Sequence, residues 1–163
     1  MSTDVKSINL ALQGGGSHGA FTWGVLDRLL EDPRVNISAV SGASAGAMNA
    51  VVLADALYGG DREEARRVLR KFWEGVSEAG FASLIRRSPI DVWRGVWNLD
   101  ASPGYLWVDL MSRMTSPYDT NPLNLNPLRD ILERLVDCDR VRQCDTIQAF
   151  ISATNVDTGR PRE

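Results

Sequence analysis

The chain has 163 residues, the length of one ordinary domain. With 44% hydrophobic and 24% charged residues, its composition is that of a globular protein rather than a disordered one. Lys and Arg number 18 against 21 Asp and Glu, a net charge of −3, so the basic excess of a nucleic-acid binder is missing. The most apolar stretch, 47–57, is broken by Asn49 and Asp55 and falls short of the about 20 residues a membrane span needs. The opening Met1-Ser2-Thr3-Asp4-Val5-Lys6 carries no secretory apolar segment, and the expected location is cytoplasmic. One histidine and two cysteines, Cys138 and Cys144, are too few for a disulfide framework or a zinc site. No metal and no cofactor are expected.

Residues 5–12 hold Val5, Ile8, Leu10, Ala11 and Leu12 and run into glycines, which predicts a strand. A helix follows over 17–31, with Phe21, Val25, Leu26, Leu29 and Leu30 on one face and Asp27, Arg28 and Glu31 on the other. A short strand at 37–41 ends in a second glycine turn. The next helix, 45–57, is apolar nearly all round and is expected to be buried on most sides. Helix 61–76 carries the stripe Ala65, Val68, Leu69, Phe72, Trp73, Val76, with Glu63 four residues before Arg67 on its charged face. Short helices are expected at 91–97 and 106–114, a loop around Pro117, Pro122 and Pro127, a helix from Pro127 to about 136, and a last strand at 146–154. Strands alternating with helices imply an α/β fold with a parallel sheet and helical crossovers. Ligands of such sheets bind at the carboxyl ends of the strands. Both glycine turns lie there, and the chemistry is expected at that rim.

The second turn, Gly42-Ala43-Ser44-Ala45-Gly46, has the G-x-S-x-G pattern. On a sharp strand-to-helix turn with small neighbours, that pattern holds a serine hydroxyl out at the amino end of a helix. The dipole there favours an anionic intermediate. Ser44 is therefore the candidate nucleophile, with Gly42 and Gly46 shaping the elbow. In the first turn, Gly14-Gly15-Gly16-Ser17-His18-Gly19, successive glycines let backbone N–H groups converge on a negative oxygen. Gly14, Gly15 and Gly16 are candidate oxyanion donors, with the N–H of Ala45 a further one. The same turn matches G-x-G-x-x-G, a dinucleotide loop, but the second strand ends in Ser41-Gly42 where that fingerprint places an acid. Ala20 and Phe21 stand where a phosphate loop has Lys and Ser or Thr. His18 is the one histidine. It is either the base or a polar residue at a helix start, and the latter reading is preferred because the imidazole would have to swing toward Ser44.

These motifs, with Asn126-Pro127-Leu128 and Ala153-Thr154-Asn155-Val156, make the chain resemble the amino-terminal part of a patatin-like phospholipase over almost its whole length. The resemblance implies a three-layer α/β sandwich with a mainly parallel central sheet flanked by helices, and a Ser-Asp dyad without histidine. It also implies an acyl-enzyme on Ser44 and a lipid or fatty-acyl ester as substrate. His18 departs from the Arg or Lys usual at its position, which leaves the backbone donors in place. The family's catalytic Asp sits in an Asp-Gly motif after the Thr-Asn-Val strand, and this chain has no Asp-Gly dipeptide. Asp157 precedes Thr158-Gly159 and reads as part of a turn. The 163 residues are thus expected to be one incomplete domain, with the aspartate past residue 163 and an apolar sheet edge open to self-association. Trp93, Trp97 and Trp107 lie near Arg86, Arg87 and Arg94, a mix suited to a membrane interface. Residues 81–118, within an insertion bounded at 79–126, are expected to form a cap or lipid-facing lip over Ser44. The leading reading is a serine lipid acyl hydrolase touching membranes peripherally. The alternatives are a lipid-binding pseudoenzyme lacking the base and, behind it, a nucleotide-binding module. Hydrolysis and transacylation share the acyl-enzyme.

Overall fold

The strand that opens the chain, β1 (Lys6–Leu12), pairs in parallel with β2 (Val35–Ala43) in a computed structural model that describes residues 5–81, 126–155 and 157–162. Between them a single 3₁₀ turn, Gly16–His18, leads into helix α1 (Gly19–Glu31). Helix α2 (Ala45–Ala56) leaves the end of β2, and α3 (Arg62–Phe81) follows. After residue 125 come α4 (Pro127–Leu135), α5 (Cys138–Gln143), β3 (Gln148–Thr154) and β4 (Pro161–Arg162). The chain divides into two compact units, Met1–Glu74 with Ile131–Glu163, and Gly75–Asp130. The sheet belongs to the first. Its order is β1-β2-β3-β4, parallel except for the β3–β4 hairpin. This is the expected α/β sandwich with a mainly parallel sheet. The helices expected at 91–97 and 106–114, the tryptophans Trp93, Trp97 and Trp107 and most of the 79–126 insertion lie outside the described residues.

β2 is longer than its apolar run predicts. It is central, and its last residues pair on both sides, Leu12 with Gly42 and Ala43 with Ser152. Neighbours on both edges therefore carry the extended backbone to the foot of the elbow. α3 outruns its apolar stripe by more than a turn, through the helix formers Glu78 and Ala79. The sequence reading passed over α5. Its signal is the Asp137 cap, whose carboxylate accepts from the backbone N–H groups of Asp139 and Arg140.

The core gathers on α2 and α3. Ala50, Val52, Leu53 and Ala54 of α2 and Ala65, Leu69 and Phe72 of α3 are fully buried, and Val40 joins them from β2. α1 departs from expectation. Leu26 and Leu30 are buried, but Phe21 is 80% and Val25 44% exposed. Only a narrow arc of α1 is packed, and its polar side does not simply face water. Arg66 of α3 donates to Asp27 (2.9 Å) and Glu31 (2.6 Å) there. On α3 itself the charged partners sit three apart rather than four: Arg66 bonds Glu63, and Arg67 bonds Glu64. The α1–β2 connection is held by one guanidinium. Arg62 donates to the carbonyls of Leu29, Leu30, Asp32 and Val35 at 2.7–2.9 Å, satisfying the open carboxyl end of α1. Asp55, buried on α2, receives Arg140 Nη2 at 2.8 Å and the Asp137 N–H at 3.1 Å.

Candidate active site

Two loops meet at the carboxyl rim of the sheet. The first continues β1 and holds the glycine turn; the second ends β2 and holds Ser44. Their closeness follows from the register that sets Leu12 opposite Gly42. Ser44 has φ 51° and ψ −124°, and among the described residues it is the one non-glycine with positive φ. For an L-residue such backbone costs about 1–3 kcal/mol and persists only where the surroundings hold it. Here they do. The carbonyl of Ser44 accepts from Met48 N–H (3.1 Å) to start α2, while its side chain spends no hydrogen bond on capping the helix. The residue is exposed, at the positive end of the α2 dipole.

Glycines at 42 and 46 are required by contact. A Cβ on Gly42 would stand 2.5 Å from the backbone of Gly46, and one on Gly46 would collide with the carbonyl of Leu12. The elbow is thus pressed against the end of β1. Gly14 closes the gap from the other side: a Cβ there would lie 3.1 Å from Ser44 Cβ and 3.0 Å from the carbonyl oxygen of Ala43. Gly15 (φ 144°) and Gly16 (φ 57°) occupy backbone that other residues rarely take. His18 fastens this turn to itself. Its N–H and its Nδ1 both donate to the Gly15 carbonyl, at 3.2 and 3.0 Å. A trans peptide points its N–H opposite its carbonyl, so the Gly16 N–H is turned away from His18. The imidazole is exposed and belongs to its own turn.

Of the remaining sequence candidates, Ala45 is buried at the first position of α2. Asp157 lies in a turn, as its neighbours predict. The Asn155 carboxamide accepts from the N–H groups of Asp157 and Thr158, and Gly159 has φ 65°. Among the described residues no three His, Cys, Asp or Glu side chains group as metal ligands. Cys138 and Cys144 are free thiols.

An open hollow of about 400 Å³ flanks the glycine turn, lined by Gln13, Gly14, Gly15, His18, Phe21 and Thr22. Phe21 also borders an apolar groove along α1, with Ala20, Gly24, Val25, Arg28 and Leu29. One residue with a part in the site escaped the sequence reading. Asn49, fully buried on α2, donates from Nδ2 to the Gly19 carbonyl (3.0 Å) and accepts from Trp73 Nε1 (2.9 Å). Its signal was present as one of two polar residues, with Asp55, in a helix apolar nearly all round.

An α/β sandwich with a serine on a strained strand-to-helix turn, beside a glycine-rich loop, is the frame on which α/β serine hydrolases are built. The chain belongs to the patatin-like phospholipase family, whose family model matches residues 10–160. That is a family of lipid acyl hydrolases, acting on lipid substrates. No curated protein and no solved structure shows significant similarity to the chain. Among the described residues no helix is long and apolar enough to cross a membrane.

Proposed function

We infer that the protein is a serine acyl hydrolase of phospholipase A type, cleaving a fatty-acyl ester through an acyl-enzyme on Ser44. The observation that carries this reading is the Ser44 backbone, held at φ 51° on a helix N-terminus with its hydroxyl uncommitted. In the proposed reaction Ser44 Oγ attacks the ester carbonyl, and its proton passes to a base. The carbonyl π pair moves onto oxygen, where N–H groups of Gly14, Gly15, Gly16 and Ala45 are the candidate donors. Each well-placed donor of this kind contributes about 3 kcal/mol. Collapse of the tetrahedral adduct expels the alcohol, which takes a proton. Water then attacks the acyl-serine and releases the fatty acid. The steps use groups of the protein and water alone. The dyad implied by the family has its aspartate in an Asp-Gly dipeptide, which these 163 residues do not contain. We therefore assign the base neither to His18, tied to Gly15, nor to Asp157, tied into its turn. The exposed ring of Phe21 beside the glycine turn offers an apolar seat for the acyl chain next to the reacting carbonyl.

The test is intact mass before and after a fluorophosphonate probe, with peptide mapping, on the protein from its native source. One adduct on Ser44, absent in Ser44→Ala, supports the reading. An unmodified protein that still binds phospholipid vesicles favours the lipid-binding pseudoenzyme, a reading motivated by the missing Asp-Gly dipeptide.

A further inference from the structure

The geometry points to Asn49 and Trp73 as positioning residues that set the distance between the glycine turn and Ser44. This inference rests on the serine reading above. Gly19 ends the glycine turn and begins α1. It has no room for a side chain. A Cβ there would stand 2.8 Å from Ala45 Cβ on one side and 2.8 Å from the Trp73 ring on the other. Ala45 is the residue directly after Ser44. The turn and the elbow are therefore in van der Waals contact at one point, with the Trp73 indole packed against that point from α3.

Steric contact prevents closer approach but not separation. Separation is opposed by hydrogen bonds. Asn49, one turn along α2 from Ala45, donates to the Gly19 carbonyl and accepts from the Trp73 indole N–H. Asn49 is fully buried and Trp73 nearly so, so each bond lost leaves a polar atom without water to replace its partner. The carboxamide can serve both neighbours in only one orientation, because its two ends differ. Phe72, fully buried, packs edge-on to Trp73 with ring centroids 5.3 Å apart and restrains the indole in turn. The chain Trp73–Asn49–Gly19 thus pins the far end of the glycine turn to the helix that follows Ser44. Gly14 is the near end, already against Ser44 Cβ. With both ends fastened, the backbone N–H groups between them hold one placement relative to the serine hydroxyl.

The consequence is kinetic. Loosening this pin moves donors relative to Oγ but substitutes no residue that lines the hollow beside the turn, so acylation slows while probe binding stays. A misplacement of about 1 Å costs on the order of 100-fold in rate. The experiment follows fluorophosphonate labelling of Ser44 as a function of probe concentration, separating the maximal acylation rate from the half-saturating concentration. It is run on wild type, Trp73→Phe, Asn49→Ala and Leu69→Ala, well below every melting temperature. Trp73→Phe keeps a ring and removes the indole N–H; Asn49→Ala removes both bonds. Leu69→Ala truncates a fully buried side chain of α3 that takes no part in the pin and controls for lost stability. The expected result is a maximal rate lower by about 10-fold or more in both pin variants, an unchanged half-saturating concentration, and a near-normal rate in Leu69→Ala. Pin variants that label at the wild-type rate, or a Leu69→Ala slowed as much as they are, overturn the inference alone. A wild-type protein that takes no adduct overturns the serine reading and this inference with it.

Discussion

Adding one methyl group at Gly46 separates the role of the elbow from the general cost of mutating a helix. In Gly46→Ala the new Cβ meets the Leu12 carbonyl oxygen, sits 2.7 Å from the Leu12 carbonyl carbon and 3.0 Å from the Gln13 oxygen. Nonbonded carbon atoms settle near 3.5–4.0 Å, so the end of β1 must retreat from α2 by about 1 Å. All three obstacles are backbone, and no rotamer change relieves them. Overpacking of this kind costs about 1–3 kcal/mol. The helix-propensity gain of Ala over Gly, about 1 kcal/mol in a helix interior, is smaller at this second helical position. The net expectation is a loss of about 2 kcal/mol, a melting temperature lower by roughly 4–8 °C for a chain of this size. Because the end of β1 leads into Gly14, Ser44 labelling should fall as well, by up to about 100-fold. The same substitution at Gly24 is the control. It lies in α1 with nothing within 4 Å of the added methyl group, and Gly24→Ala should stabilise by about 0.5–1 kcal/mol. Thermal or urea unfolding followed by circular dichroism, with probe labelling in parallel, reads both. A Gly46→Ala protein as stable and as reactive as wild type would refute the packing argument.

Three further outcomes are expected. Among the described residues, Arg140→Met leaves the Asp55 carboxylate, 2% exposed in its side chain, with only the Asp137 N–H. Breaking a buried pair costs about 3–5 kcal/mol, and because Arg140 is itself half exposed about 2 kcal/mol is expected in urea unfolding. Arg142→Met, which removes a pair exposed on both sides, should stay within about 0.5 kcal/mol. The hydrogen bonds from Arg66 hold the Asp27 carboxyl below its ordinary value. A lowered folded-state pKa gives stability that is full above the unfolded value, near 4, and is lost as pH falls through the folded value. Asp27→Asn should therefore flatten the acid limb of a stability–pH curve and lower its plateau; an unchanged acid limb counts against the pair. His18→Ala removes a bond to Gly15 worth about 1 kcal/mol. Ser44 labelling should drop by no more than about 5-fold, with the shape of its pH profile unchanged. Abolished labelling would instead make His18 the base.

What could be read in the sequence was what depends on neighbours along the chain. The elbow is legible because Gly42 and Ser44 meet needs set within five residues of backbone, whereas Gly46 answers the distant Leu12 carbonyl and is legible only through the motif. The glycine turn is legible because positive φ at Gly15 and Gly16 excludes almost any other residue. Contacts across the fold were harder. Phe21 and Val25 share a helical face with Leu26, but only the packing of α2 and α3 decides which of them is covered. The extra length of β2 depends on β3, more than a hundred residues away. Asn49 looked like a flaw in an apolar helix until its partners, Gly19 and Trp73, were located on two other helices. Arg62 reads as one more charge on a polar face, though it binds four carbonyls of a connection some thirty residues earlier.

The order of the strands also bears on how the protein assembles. β1 and β2 first meet between Lys6 and Val35, 29 positions apart, whereas β2 and β3 meet between Ala39 and Gln148, 109 positions apart. For flexible chain, closing the longer loop costs about 1 kcal/mol more in entropy, and nonlocal strand pairing slows folding. The glycine turn lies within the shorter closure, and the serine elbow follows directly on the strand that completes it. During synthesis they emerge, and are able to pair, well before β3 leaves the ribosome. β3 then arrives as the last parallel strand and, by pairing Ser152 with Ala43, completes the extended backbone at the foot of the elbow.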